Sequence, residues 1–212
     1  MTQYLSLGFA GLFTGLIYAL MAAGLSIVFG VTRIVNFAHG EMLVFAAFIA
    51  ISLHKLWGSD PFILMPAVSI MMFIMGYYLQ KGMINRLLNR SEHSQFLALA
   101  ATAIILLNLQ QIIFGSEAQA IVTSYSLQSI EIGGVIFDTV RLITGAFALF
   151  IVLILFAFFY YTLYGKAIRA CADNLLGAQV IGLNYKKLYA LSFAIAASCL
   201  GVAGTLLSLI ID

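Results

Sequence analysis

Charged residues are scarce in this 212-residue sequence: ten Lys/Arg and eight Asp/Glu, 8% of the chain. A soluble domain carries about 25%, and a chain this poor in charge cannot cover a globular surface with polar groups. The net charge of +2 is scattered over loops and forms no basic face, so it gives no sign of a nucleic-acid partner, and none is expected. Cysteine is equally scarce. Cys171 and Cys199 have no Cys-x-x-Cys spacing and no histidine beside them, so neither a disulfide nor a metal site is expected, and both read as small apolar residues. The sequence has no Gly-x4-Gly-Lys-Ser/Thr phosphate loop, no His-Glu-x-x-His and no Gly-x-Ser-x-Gly. No catalytic residue is assigned, no cofactor is expected, and the chain is not read as an enzyme. Its first residues also lack a basic n-region and a cleavage pattern, so the first apolar segment is expected to stay as a span.

What remains is hydrocarbon, at 63% of residues. A bilayer core of about 30 Å needs roughly 20 apolar residues per helix. Charge-poor windows of that size predict an all-α, polytopic helical bundle in one domain spanning 1–212. Six spans are expected, at 7–31, 34–54, 61–80, 94–116, 142–165 and 188–211. Gly8, Gly11 and Gly15 in the first span, and Ala194, Ala197, Gly201 and Gly204 in the last, form stripes that allow close helix contact. Thr14 and Tyr18, and the amides Asn108 and Gln111 three apart on one helical face, are the candidate pore-lining groups. Hydrogen bonding to a neighbouring helix is the more ordinary reading of the two amides. Residues 117–141 break the pattern, and their alternating apolar positions, with Gly133-Gly134, suggest a small hairpin or an amphipathic surface segment.

One polar stretch interrupts the hydrocarbon: Gly30-Val-Thr-Arg33-Ile-Val-Asn36-Phe-Ala-His39-Gly40-Glu41. Polar groups near membrane depth are expensive and commonly functional. The charge-free run that follows, 42–53, is too short to span alone. Either a helix begins near Ile34 and carries Asn36, His39 and Glu41 inside it, or the element is short or broken and shielded by protein. His39 and Glu41, two apart, project to different faces of a helix, which argues against a shared proton or metal.

Seven of the ten Lys/Arg fall in 81–93 and 166–187, so both segments are placed in the cytoplasm. The N-terminus, 54–61, 117–141 and Asp212 then lie outside, and Arg33–Glu41 lies at the cytoplasmic end of the first two spans, where Arg33 is expected to pair with Glu41. Segment 166–187 is too polar to span. Asp173-Asn174 is expected to cap a short amphipathic helix with Leu176, Val180 and Leu183 on one face and a stop at Gly182 or Asn184. By its residues alone, this helix lies in the lipid headgroups or docks on a soluble partner.

The segment from Gly15 through Gly24-Leu-Ser-Ile-Val-Phe-Gly30 to Asn36-Phe-Ala-His39-Gly40-Glu41 closely resembles the permeases of branched-chain amino acid and urea ABC importers, best the first-subunit type. Gly165-Lys-Ala-Ile-Arg169-Ala through Ala178-x-x-x-Gly182 resembles their ATPase-contacting loop. The resemblance implies a pore-forming subunit in a bacterial cytoplasmic (inner) membrane. Its implied partners are a second permease subunit or a second copy, two cytoplasmic ATPase subunits and an extracytoplasmic solute-binding protein, all around the lipid bilayer. It makes Arg169, Asp173, Ala178 and Gly182 the expected ATPase-coupling residues. Arg33, Asn36, His39 and Glu41 are then expected to form a hinge or inner gate rather than a solute site. Such permeases usually continue through further hydrophobic segments, so truncation at the C-terminus is expected. The alternative, a passive channel like the aquaporins, would carry paired Asn-Pro-Ala motifs, and no Asn here precedes Pro.

Overall fold

The computed structural model describes residues 2–88, 90–123, 125–126, 128–133 and 135–211; Asp212 and Gly134 lie outside the described residues. Six helices are long and apolar enough to cross a membrane, and almost no sheet accompanies them. The fold is all-α and polytopic. The spanning helices are α1 (Thr2–Thr32), α2 (His39–Trp57), α3 (Pro61–Leu79), α5 (Glu92–Phe114), α6 (Thr139–Tyr161) and α9 (Tyr185–Leu207). Three shorter helices join them: α4 (Asn85–Leu87), α7 (Leu163–Asp173) and α8 (Leu175–Val180).

The bundle is built around α9. α1, α2 and α3 pack along it, α6 packs on α1, and α5 leans on α2. A lipid solvent offers no hydrophobic drive for helix association, so close van der Waals contact must supply the attraction. The small residues of α9 make that contact possible. A Cβ on Gly204 would lie 2.7 Å from the Leu43 carbonyl oxygen of α2, and one on Gly201 would lie 2.8 Å from Ser69 Cα of α3. Gly76 of α3 returns the approach, its missing Cβ falling 2.5 Å from Ala197 Cβ. The other expected stripe behaves differently. Gly8, Gly11 and Gly15 are exposed, with nothing within 4 Å of a Cβ at any of them. At these three positions α1 meets no neighbour among the described residues; Phe13 meets Gly145 of α6 instead.

Three boundaries differ from the hydropathy reading. α2 starts at His39, not Ile34, because residues 33–38 form a non-helical connector; it then runs to Trp57, long enough to span. α3 does not stop at Gln80. A π-helical turn, Gln80–Ile84, carries it into α4, so Lys81 and Arg86 are helical rather than in a loop. α6 ends at Tyr161, and Thr162, with extended backbone (φ −86°, ψ 153°) and a hydroxyl accepting from Gly165 N–H at 3.0 Å, caps the start of α7.

Beyond the opposite ends of the helices, β1 (Ser129–Ile132) and β2 (Val135–Asp138) form the expected hairpin, antiparallel with Ser129 opposite Asp138. Asp60 caps α3 by accepting from Phe62 N–H, and also accepts from the Tyr125 hydroxyl at 3.0 Å. Burial and that carboxylate push the Tyr125 phenol up to about 12.

Replacing Gly204 by Val forces α9 off α2, and overpacking of this kind typically costs about 1–3 kcal/mol. Unfolding in detergent should therefore shift for Gly204→Val and stay nearly unchanged for Gly15→Val, which points into open space. Equal effects at the two sites would contradict the packing described.

Candidate functional site

The polar stretch begins where α1 stops. Thr32 turns its hydroxyl back onto the Val28 carbonyl (2.9 Å), and Arg33 follows at φ 59°, the one non-glycine residue with positive φ among those described. A left-handed conformation strains a residue with a Cβ by about 1–3 kcal/mol, and here it reverses the chain toward α2. The Arg33 side chain is exposed. No ion pair with Glu41 forms; among the described residues the single ion pair is Arg141 with Asp138. Glu41 is half-buried in the first turn of α2, where the positive end of the helix dipole favours a carboxylate.

Asn36 and His39 are both buried. Asn36 Oδ1 accepts from Ala38 N–H (3.1 Å), shaping the turn into α2. His39 lies 3.0 Å from the Met21 carbonyl through Nε2; a carbonyl only accepts, so Nε2 carries the proton. That bond pins the start of α2 to the middle of α1. The imidazole also lies 3.5 Å from where a Cβ on Gly24 would be. Asn36 and His39 therefore hold the connector, while Arg33 faces away from it.

The candidate pore groups separate. Thr14 is half-buried and returns its hydroxyl to the Ala10 carbonyl (3.0 Å), and Tyr18 is exposed. Asn108 and Gln111 lie on the exposed side of α5, and Asn108 bonds its own helix at the Ile104 carbonyl (2.7 Å), not a neighbour as expected. The amide that does cross helices is Gln110, buried, donating to the Glu41 carbonyl at 3.0 Å. The buried positions Leu99 and Leu106 put Gln110 on their face at helical spacing; the 108/111 pairing follows the wrong face.

The segment after α6 holds two helices where one was expected. Asn174 is the cap of α8, accepting from Gly177 N–H at 2.9 Å, while Asp173 is the last residue of α7 and exposed. Gly182, at φ 84°, ends the turn after α8 in a conformation few other residues adopt, and Asn184 caps α9. Arg169 is exposed, its guanidinium 5.8 Å from the Tyr160 ring centroid. Ala178 faces inward. It packs in one apolar cluster with Ile168 and Cys171 of α7, Leu188 and Tyr189 of α9, and Val31 at the end of α1. Burial pushes the Cys171 thiol up. Sequence reasoning placed none of Val31, Ile168, Leu188 or Tyr189 here. The only available signal was the apolar spacing Ile168–Cys171 facing Ala178. On the opposite side of α8, Leu176, Val180 and Ile181 are 75%, 87% and 72% exposed.

The family model for the branched-chain amino acid transport system / permease component matches residues 8–212. The chain belongs to that family. It is 28% identical over 211 residues to the high-affinity branched-chain amino acid transport system permease protein BraD of Pseudomonas aeruginosa, covering 94% of this chain and 69% of that protein. It is 28% identical to the corresponding LivH of Escherichia coli K12, covering 94% and 68%. A similar match reaches the "Probable branched-chain amino acid transport permease protein LivH" of Methanocaldococcus jannaschii, 28% over 200 residues, covering 89% and 61%. The chain thus spans between 61% and 69% of the length of these relatives. No solved structure matches it.

His39→Ala removes the bond to Met21 and leaves the buried carbonyl with one acceptor site unfilled, at about 1–3 kcal/mol. Unfolding in detergent should show that loss, with His39→Gln, which keeps a donor, restoring part of it. A His39→Ala chain of unchanged stability would contradict the pinning role.

Proposed function

We propose that this chain is a pore-forming subunit of an ABC importer that moves branched-chain amino acids inward across a bacterial cytoplasmic membrane. Separate ATPase subunits would power it, an extracytoplasmic binding protein would deliver solute, and a second permease subunit or a second copy would complete the pore. The branched-chain names of the relatives support amino acids over urea as the solute.

The observation that carries the coupling assignment is the two-sided construction of α8. Its inner side packs through Ala178 in one apolar cluster with α7, α9 and the end of α1, while Leu176, Val180 and Ile181 stand out at the end of the bundle. Exposed apolar side chains on a rigid knob suit a groove in a soluble partner. In this reading, closure of the ATPases moves α7 and α8 as one piece with the ends of α1 and α9, biasing the pore between its two open states. Arg169 and Asp173 would line the contact, Ala178 would hold the knob and Gly182 would end it. Arg33, Asn36, His39 and Glu41 would form the hinge beside it, and Thr14, Tyr18, Asn108 and Gln111 remain the candidate path-lining groups. The N-terminus would lie outside.

Fully burying an apolar side chain of this size contributes about 1.5–3 kcal/mol, and a carboxylate in its place reverses the sign. Val180→Asp with Ile181→Asp should lower ATP-driven leucine uptake in proteoliposomes of the full complex by at least about tenfold, with the ATPases no longer co-purifying. Unchanged uptake with ATPases still bound would overturn the coupling assignment.

A further inference from the structure

A second feature at the α7–α8 end of the bundle belongs to none of these roles. Between the end of α3 and the start of α9 lies a groove of about 540 Å³, lined by Tyr77, Lys81, Asn85, Arg86, Lys186 and Lys187 among others. Four of the chain's ten Lys/Arg converge there. Two local devices bring them together. The i→i+5 pairing of the π-helical turn widens the helix, which lets Lys81 and Arg86, five apart, face the same side. The turn is then tied to α9: buried Gln80 donates through Nε2 to Asn85 Oδ1 (3.1 Å), and Asn85 Nδ2 donates to the Lys186 carbonyl (3.1 Å).

Among the described residues the charge in this groove is uncompensated: no carboxylate pairs with any of the four cations, and the first turn of α9 holds Lys186 and Lys187 but no acid. Cations at a helix N-terminus oppose the helix dipole, so the chain accepts local repulsion to gather positive charge here. Below the cations the walls change character. Tyr77 and Ala190 belong to spanning helices, Lys81 lies 5.8 Å from the Tyr77 ring centroid, and Tyr78 beside it is 65% exposed. Basic pockets between spanning helices at the cytoplasmic face, with an aromatic belt beneath, match an anionic headgroup above a glycerol backbone.

We propose that this groove binds the headgroup of an anionic phospholipid and that the lipid bridges the end of α3 to the start of α9. The reading is independent of the transported solute. The test is native mass spectrometry of the purified full chain in neutral detergent, titrated with phosphatidylglycerol, with phosphatidylcholine, and with inorganic phosphate as competitor. Each cation near an anionic headgroup is worth about fivefold in affinity, so Lys186→Gln with Lys187→Gln should weaken phosphatidylglycerol binding by about 25-fold and leave phosphatidylcholine binding unchanged. Lys81→Gln with Arg86→Gln should do the same from the other wall, which keeps the test valid if one pair misfolds. Lys55→Gln with Lys166→Gln removes equal charge elsewhere and should have little effect. Three results would each overturn the proposal. These are equal affinity for the two lipids, full displacement by millimolar phosphate, which marks a free-anion site, and phosphatidylglycerol binding that neither double substitution alters.

Discussion

Close backbone approach along α9 is the constraint on which the rest of this molecule depends. In a bilayer the alternative to a helix neighbour is lipid, which is as apolar as leucine, so only tight packing distinguishes one arrangement from another. Gly201 and Gly204 let α3 and α2 sit directly on the α9 backbone, and Gly76 lets α9 sit on α3. Over four-fifths of its most apolar window is buried, against a third or less for every other span. The N-terminal end of the same helix contributes Leu188 and Tyr189 to the cluster that seats α7 and α8. Packing in the bundle and seating of the surface helices are therefore two ends of one rigid element.

That arrangement gives the polar stretch its place. Val31, two residues before the strained Arg33, belongs to the same cluster as Ala178 and Cys171. α7 and α8 thus pack in one cluster with the end of α1, and residues 33–38 beyond it are the non-helical connector held by Asn36 and His39. Strain, a break in helical structure and a packed lever thus coincide. Within the connector, Asn36 Oδ1 and His39 Nε2 are committed to backbone partners, while the Arg33 side chain is exposed.

Much of this fold could be read from hydropathy, because an apolar run of about 20 residues has few alternatives to a span. Six helices, the hairpin near 129–138 and the close-packed stripe of α9 follow from composition and spacing. Boundaries were less legible. Helix ends are set by single side chains, such as Thr162 bonding Gly165 N–H or Asn174 bonding Gly177 N–H, and hydropathy does not register them. Which small-residue stripe would be buried was equally hidden: Gly8, Gly11 and Gly15 have the right spacing but face away from the bundle. The link between Val31 and residues 168–189 is a contact between segments more than 130 positions apart, and no local pattern announces it. The packing brings the end of α1, just before one polar segment, into one apolar cluster with the other.

The most direct test of that joining is the thiol of Cys171, which lies inside the cluster and is 2% exposed, with burial pushing its pKa up. In the assembled complex, on a Cys199→Ala background, its rate of labelling by a maleimide can be followed with and without ATP. If α7–α8 move as one body with α1 and α9, labelling stays slow in every nucleotide state. Rapid labelling in either state would show that the helices undock, and would contradict the account.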